Sequence, residues 1–456
     1  MNNTAVINIV ALSQHLIGEH TPNIKNYLES KAQLSTIEPA FPAVTCTAQT
    51  TYLTGKSPSD HGIVANGWYF REECEVKLWR QSNKLVQSPK LWDLARAKDP
   101  NFTVANMFWW YNMYSSADYS VTPRPQYLAD GRKMPDCYAH PASLRDELQV
   151  ALGTFPLFSF WGPNTSIKSS QWIADASKMV YQKHEPNLTL IYLPHLDYGL
   201  QKYDHDDPRV LQDLKEIDQV VGDLISFFDK NGVQTVLLSA YGITPVSKPI
   251  YLNRSLRKAG LINVRVERGL ELLDAGASDA FAMADHQIAH VYVNDKTRLG
   301  EVKQLLEQEA GIETILDEKG KKEWGIDHDR AGDFVVVADS DSWFSYYYWL
   351  DDKKAPDFAR NIDIHRKPGY DPAEMFLDPK KKFIYPRIAL KVLKKKLGFR
   401  MNMNVIPLDA TLVRGSHGRK HIPEAYKPIY ISPNQSTTRL ESTAVCEAIL
   451  GEIFGH

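Results

Sequence analysis

The chain has little net charge of either sign: 53 Lys and Arg stand against 55 Asp and Glu, a formal net charge of −2. That balance excludes a protein held on nucleic acid by its overall field, so any cationic patch has to be local. Only four cysteines occur in 456 residues, Cys46, Cys74, Cys137 and Cys446, and no two are close enough in sequence to suggest a zinc or redox pair. A reducing compartment is the simpler expectation. No apolar run approaches the roughly 18 to 20 residues needed to cross a bilayer. Residues 1–12 lack the basic start and cleavable apolar core of a secretory signal and read as a buried first strand. A soluble, cytoplasmic protein is expected. Internal repeats and low-complexity segments are also lacking.

What the chain does have is an alternation of short apolar, β-branched runs with longer helical patterns. The runs lie at 5–12, 102–107, 188–193 and 235–238, and residues 209–231 carry apolar side chains at helical spacing up to Gly232. This predicts an α/β fold: a mostly parallel, doubly wound sheet with helices on both faces. After Gly242 the strands shorten, and 289–293 and 333–338 flank a helical pattern at 299–309. Residues 343–378 are aromatic and polar with little periodicity, as in a lid near a site. The expected division is a core over 1–245, an inserted α+β cap and lid over 246–400, and a return to the core over 401–456. A chain of this length can bury a core of that size.

The densest signal lies at 40–67. Thr45 follows Phe41-Pro42 and opens an apparent helix rich in small hydroxylated residues, so its hydroxyl would lie among free backbone N–H groups where a phosphate binds. Taken alone, it would be an ordinary N-cap threonine. Asn66, on the facing loop, is placed to donate to a phosphoryl oxygen. Cys46 is a rival nucleophile, because a thiol at a helix N-terminus has a lowered pKa.

Pro42-x-x-Thr45, Thr54-Gly55, His61-Gly62-Ile63 and Asn66 together resemble the type I phosphodiesterase/nucleotide pyrophosphatase branch of the alkaline phosphatase superfamily, a pattern shared by phosphonoacetate hydrolases. The resemblance continues in order through Pro89-Lys90-Leu91-Trp92-Asp93-Leu94, Leu196-Asp197-Tyr198, Leu238-Ser239-x-x-Gly242 and Gly415-Ser416-His417-Gly418. It implies an alkaline phosphatase-like core and a metal-dependent hydrolase of phosphodiester, pyrophosphate or related phosphoryl bonds. In that chemistry a threonine nucleophile works with two divalent ions. The implied ligands are an Asp ending the first strand, the nucleophile, an Asp-x-x-x-His pair, an Asp-His pair and a late His. Here Asn8 stands for the first Asp, Asp197 is kept, Gln201 replaces the paired His, Ala240-Tyr241 replaces Asp-His, and His417 remains. The metal positions Asp197, His417, Asn8, Gln201 and Tyr241 would suit Zn, Mn or Mg, with the choice left open. The rival reading is a non-catalytic phospho-ligand-binding protein on the same fold, and a third is a phosphonate or sulfate ester hydrolase.

Other residues are weighed beside these. Asp363 and His365 alternate as on one face of an extended strand and are read as compensating metal ligands. Asp204-His205-Asp206-Asp207 reads as a solvated loop, and His286 with His290 as structural. Trp110 and Tyr111 are candidate substrate-binding aromatics for a small phosphorylated substrate, nucleotide or lipid-linked. Residues 380–400 hold nine Lys or Arg and no acid, with apolar residues interleaved. They mark where any peripheral membrane contact would be made.

Overall fold

The computed structural model describes residues 1–399 and 402–455. Its two larger sheets are built, in chain order, from β1 (Thr4–Ile9), β2 (Gln33–Glu38), β3 (Val104–Met107), β4 (Tyr119–Pro123), β5 (Cys137–His140), β6 (Leu188–Leu193), β7 (Gln234–Leu238), β8 (Ala280–Asp285), β9 (Ile288–Val293), β10 (Ile312–Leu316), β11 (Phe334–Ala338), β12 (Ile429–Ser432) and β13 (Arg439–Glu441). The helices that matter below are α1 (Thr45–Thr54), α2 (His195–Lys202), α3 (Pro208–Lys230) and α4 (Ile384–Lys396).

The large sheet has the order β13-β2-β12-β7-β1-β6-β3-β4-β5. Its centre, β7, β1, β6, β3 and β4, is parallel, and β12 and β5 run antiparallel to their neighbours. β1 and β6 are buried at every position, as strands covered on both faces must be. Covering helices include Lys168–His184 and α3, whose apolar face buries Val210, Leu214, Ile217, Val221, Leu224 and Phe228 in the main core. The sequence places an apolar stripe on this helix, and the sheet supplies the surface that covers it.

The second sheet, β8-β9-β11-β10, is antiparallel throughout and carries its own core with Trp343, Phe344, Tyr346, Tyr348 and Trp349. Its β8–β9 hairpin turns at His286 and Gln287, with His286 at φ +63°. Gln287 N–H donates to the His417 carbonyl (2.8 Å) and Phe344 N–H to the His286 carbonyl (2.7 Å). The hairpin tip is thereby pinned against the loop that follows Gly415. Residues 343–378 form a short strand, Ser342–Phe344, and then irregular chain with 3-10 turns, much of it buried. Among the described residues no helix is long and apolar enough to cross a membrane.

Candidate functional site

Parallel sheets of this kind place their sites beyond the carboxyl ends of the strands. β6 runs into α2, which carries Asp197 and Gln201 one turn apart, and β7 runs into Ala240 and Tyr241. Asn8 lies near the end of β1, in register with Tyr192 of β6 and Leu238 of β7. Thr45 is the first residue of α1, a helix buried along its whole length. It ends at Gly55 with φ +65°, where a side chain would also press on Cys446 Cβ at 3.2 Å. His417 comes from the loop after Gly415, whose missing side chain lets that loop close on α2: a Cβ there would lie 2.1 Å from the Leu200 carbonyl oxygen.

These elements deliver a continuous, buried hydrogen-bond chain. The Thr45 hydroxyl is 3.1 Å from the Tyr241 phenol oxygen, and the Tyr241 O–H donates to Asp197 Oδ1 at 2.9 Å. Gln201 Nε2 donates to the other carboxylate oxygen, Oδ2, at 2.9 Å. Tyr370 O–H donates in turn to Gln201 Oε1, also at 2.9 Å. The Tyr241 ring lies flat on His417, with centroids 3.7 Å apart. Burial raises the Asp197 carboxyl to about 6, against the opposing pull of its donors Tyr241 and Gln201.

His417 Nδ1 is 2.7 Å from the Ala43 carbonyl oxygen, which can only accept, so the ring proton belongs on Nδ1. That leaves Nε2 as a bare acceptor, buried and without a hydrogen-bond partner, 3.9 Å from Asp197 Oδ1. Burial, then the neighbouring His286, hold this imidazole well below its ordinary pKa. Asn8 is likewise buried with both amide atoms unpartnered.

Asn66 occupies a second network. Its Oδ1 accepts from Cys46 N–H (3.0 Å), satisfying a free donor in the first turn of α1, while its own N–H and Nδ2 donate to the two oxygens of Asp285 (2.8 and 3.0 Å). The expected phosphoryl donor is thus held by a carboxylate that sequence reasoning passed over. Asp285 also meets His286 Nδ1 at 2.7 Å, and its own carboxyl is raised to about 6, chiefly by burial. His286 stacks on Tyr370 (3.6 Å) and leans on His417 (3.7 Å), so it belongs to the cluster, whereas His290 bridges the Val64 carbonyl and Gly332 N–H and stacks on Tyr292. Asp285 and His286 are adjacent at a hairpin tip, and no spacing in the sequence points that tip at Thr45.

Two further expectations are corrected. Asp363 and His365 do not alternate on a strand: residues 364–366 form a turn. Asp363 faces Arg366 and Lys133, and His365 faces Lys133, Arg80 and Leu78, with no member of the Asp197 cluster among these neighbours. Cys46 is not an activated thiol, because burial drives its pKa well above the ordinary value and outweighs its place at a helix start. The acidic run at 204–207 lies in a loop with Asp204 and Asp206 exposed, as expected, and Asp207 also caps α3 by accepting from Arg209 N–H (2.9 Å). Trp110 is half-buried against Trp79 (5.0 Å), and its backbone N–H donates to Gln49 Oε1 (2.8 Å), while its indole Nε1 is buried without a hydrogen-bond partner. Tyr111 is buried beside Cys46. Trp79 and Trp161 flank Tyr370 at 6.3 and 5.8 Å.

The residues present do not fit a binuclear divalent centre. Two such ions would bring four positive charges to one carboxylate, Asp197, whose oxygens already accept from Tyr241 and Gln201. Asp285 is engaged by Asn66 and His286, Ala240 has no donor, and Asn8 is neutral. What the arrangement can do chemically is move a proton: a hydroxyl, a phenol and a carboxylate stand in sequence within hydrogen-bond reach.

A sequence profile described as type I phosphodiesterase / nucleotide pyrophosphatase matches residues 4–371. A curated relative, an uncharacterized pyrophosphatase/phosphodiesterase of Schizosaccharomyces pombe, is 25% identical over 244 residues. That match covers 52% of this chain and 43% of the relative, so the chain spans less than half the length of the curated protein it matches. Among solved structures, phosphonoacetate hydrolase of Sinorhizobium meliloti 1021 in complex with phosphonoformate superposes with a TM-score of 0.61 at 13% identity, over 99% of this chain and 96% of that one. Human ectonucleotide pyrophosphatase / phosphodiesterase 5 gives 0.60 at 13% identity, over 99% and 94%. An inactive variant of the murine protein in complex with AMP gives 0.59 at 14% identity, over 100% and 95%. At these identities the structural matches establish the fold, an alkaline phosphatase-like α/β core.

Proposed function

Since the chain belongs to the type I phosphodiesterase / nucleotide pyrophosphatase family, we propose that it hydrolyses a phosphodiester or pyrophosphate bond of a small nucleotide-like or lipid-linked ligand through Thr45. Members of this family typically depend on divalent metal ions. The observation that carries the reading is the Thr45–Tyr241–Asp197 hydrogen-bond chain. Thr45 Oγ1 attacks phosphorus, its proton passes to the Tyr241 oxygen, and the Tyr241 proton passes to Asp197. The leaving oxygen departs with the electron pair of its broken P–O bond. Water then attacks phosphorus and breaks the P–Oγ1 bond of Thr45, the relay returns its proton to Oγ1, and the water's proton passes to solvent or to the departed oxygen. The first turn of α1 faces the phosphoryl oxygens with its partial positive charge. His417 Nε2 and the Asn8 amide offer polar atoms that lack partners of their own. The half-buried indoles Trp79, Trp110 and Trp161 suit a flat group on the leaving side.

A second reading, a phospho-ligand-binding protein on the same fold, is favoured by Ala240 and by the engagement of both Asp197 oxygens by protein donors. Mass spectrometry separates the two. Incubated with bis(p-nitrophenyl) phosphate and quenched in acid, the parent should carry a phosphoryl adduct on Thr45, and Thr45→Ala should carry none and release no nitrophenol. Absence of turnover in the parent, together with AMP binding that survives Thr45→Ala, would establish the binder instead.

The basic tract supports a membrane-associated ligand. In α4, Ile384 and Ile388 pack toward Val405 and Ile406, while Leu390 and Leu393, with Leu397 just past the helix end, are each more than half exposed. Lys380, Lys381, Lys382, Lys391 and Lys394 flank them, with Arg387; Arg400 lies outside the described residues. A helix of this make rests on an anionic lipid surface, leucines down and lysines at the headgroups.

A further inference from the structure

His195 opens α2 on the side facing α3, and it is 2% exposed with both ring nitrogens lacking a hydrogen-bond partner. A buried imidazole without a partner is costly and calls for an explanation. Its Nε2 is aimed between two carboxylates of α3, 3.4 Å from Asp213 Oδ1 and 3.3 Å from Glu216 Oε2, and neither contact has hydrogen-bond geometry. One donor atom from each of the three residues lies within 4.8 Å of the other two.

The helices deliver this triad deliberately. Asp213 and Glu216 are three residues apart, so they share one face of α3. That face approaches α2 at Gly199, where a Cβ would lie 2.1 Å from Asp213 Oδ2. The missing side chain leaves the room in which Asp213 reaches His195.

The donor separations carry the inference. A zinc-type ion binds imidazole nitrogen and carboxylate oxygen at about 2.0 to 2.1 Å with tetrahedral angles, which sets neighbouring donors about 3.3 to 3.4 Å apart. The two separations from His195 Nε2 have that value. We propose that His195, Asp213 and Glu216 bind one divalent transition-metal ion of the zinc class, with the fourth position open to water. One imidazole with two carboxylates suits Zn²⁺, Co²⁺ or Mn²⁺, whereas Mg²⁺ and Ca²⁺ favour all-oxygen shells. The carboxylates supply the entry path, since their side chains keep 24% and 34% of their exposure. The site is separate from the Thr45 cluster, but it ties α3 to the helix that holds Asp197 and Gln201, so its role toward that cluster is to position α2.

The test uses the full chain stripped with a chelator and then titrated with Zn²⁺ by calorimetry and with Co²⁺ by visible absorption. One equivalent should bind, with the strong visible bands of tetrahedral cobalt. Asp213→Asn and Glu216→Gln, both at partly exposed positions, should each weaken binding at least tenfold, as should His195→Gln, while Asp197→Asn should leave binding intact. Absence of saturable binding in the parent would overturn the proposal. Binding that survives both Asp213→Asn and Glu216→Gln, or that is lost in Asp197→Asn, would overturn it equally. The two carboxylate variants decide the matter even where His195→Gln fails to fold.

Discussion

Tyr241→Phe removes a single oxygen and leaves the ring that lies 3.7 Å from His417. The oxygen bridges the Thr45 hydroxyl and Asp197, so its loss acts on both. A hydrogen bond to a charged group contributes about 1.5 to 3 kcal/mol. Removing it from ionised Asp197 should therefore raise that carboxyl from about 6 by roughly one to two pH units, at about 1.4 kcal/mol per unit. Two measurements follow. In the pH–rate profile with bis(p-nitrophenyl) phosphate, the acid limb, set in the parent by deprotonation of Asp197 near 6, should move upward, and the plateau rate should fall on the order of a hundredfold as general-base help is lost. In urea unfolding, the variant should lose about 2 to 4 kcal/mol at pH 7.5, and distinctly less at pH 4.5, where Asp197 is protonated in the folded parent and has less need of the donor. An unmoved acid limb together with an equal stability loss at both pH values would refute the relay, because the phenol would then act only by packing.

Asp197 should itself be a stability liability above its folded pKa. It is raised from 3.8 to about 6, so folded protein binds the proton more tightly than unfolded, and stability from this group falls as pH rises from about 4 to 6, by about 3 kcal/mol in all. The buried histidines held low, His286, His290 and His417, act in the opposite sense over an overlapping range, so the comparison must be with the parent at each pH. Asp197→Asn should gain stability relative to the parent as pH rises from 4 to 7, read by urea midpoints, while turnover is abolished; a constant difference would show that Asp197 is not buried as a charge. Gly415→Ala should drive the His417 loop away from the Leu200 carbonyl and cost roughly 2 to 4 kcal/mol, read as a lower thermal midpoint; a neutral effect would mean that the loop yields freely. Leu393→Glu with Leu397→Glu should lower cosedimentation with phosphatidylserine vesicles at least tenfold without altering hydrolysis of a soluble diester, whereas unchanged sedimentation would leave α4 an ordinary solvated helix.

The large parallel sheet was legible because its strands are apolar on both faces and its helices are not. The run at 188–193 coincides with β6, and the 3.6-residue stripe at 209–231 becomes α3, displaced by one residue at each end. The Thr45 turn was legible because an unusual local order of Pro, Thr, Gly, His and Asn marks it within some 25 residues. The partners that complete the site were not. Asp285 and His286 reach Asn66 and His417 through the tip of a hairpin in the second sheet, and Tyr370 reaches Gln201 across 169 residues. Such contacts are set by tertiary packing and leave no period in the sequence. Asp363 and His365 show a related limit of local pattern: their types alternate as on a strand face, but the chain turns there.

The residues that depart from the family pattern are consistent with one electrostatic argument. A site that loses two divalent ions but keeps their carboxylates leaves buried negative charges facing one another, each costing several kcal/mol. Here the acids implied at positions 8 and 240 are absent, and asparagine and alanine stand in their place. The carboxylate that remains, Asp197, is answered by the two residues that stand at histidine ligand positions, since Gln201 donates to one oxygen and Tyr241 to the other. An amide and a phenol each supply a proton where an imidazole nitrogen would have supplied a lone pair to a metal. The changes thus exchange coordination for hydrogen bonding around the same carboxylate, and they leave the Thr45 hydroxyl attached to it through Tyr241. Unconstrained decay would have no reason to supply both donors. A shell rebuilt in this way retains a proton acceptor for Thr45, which is why the hydroxyl, rather than any metal position, is the residue on which the proposed activity rests.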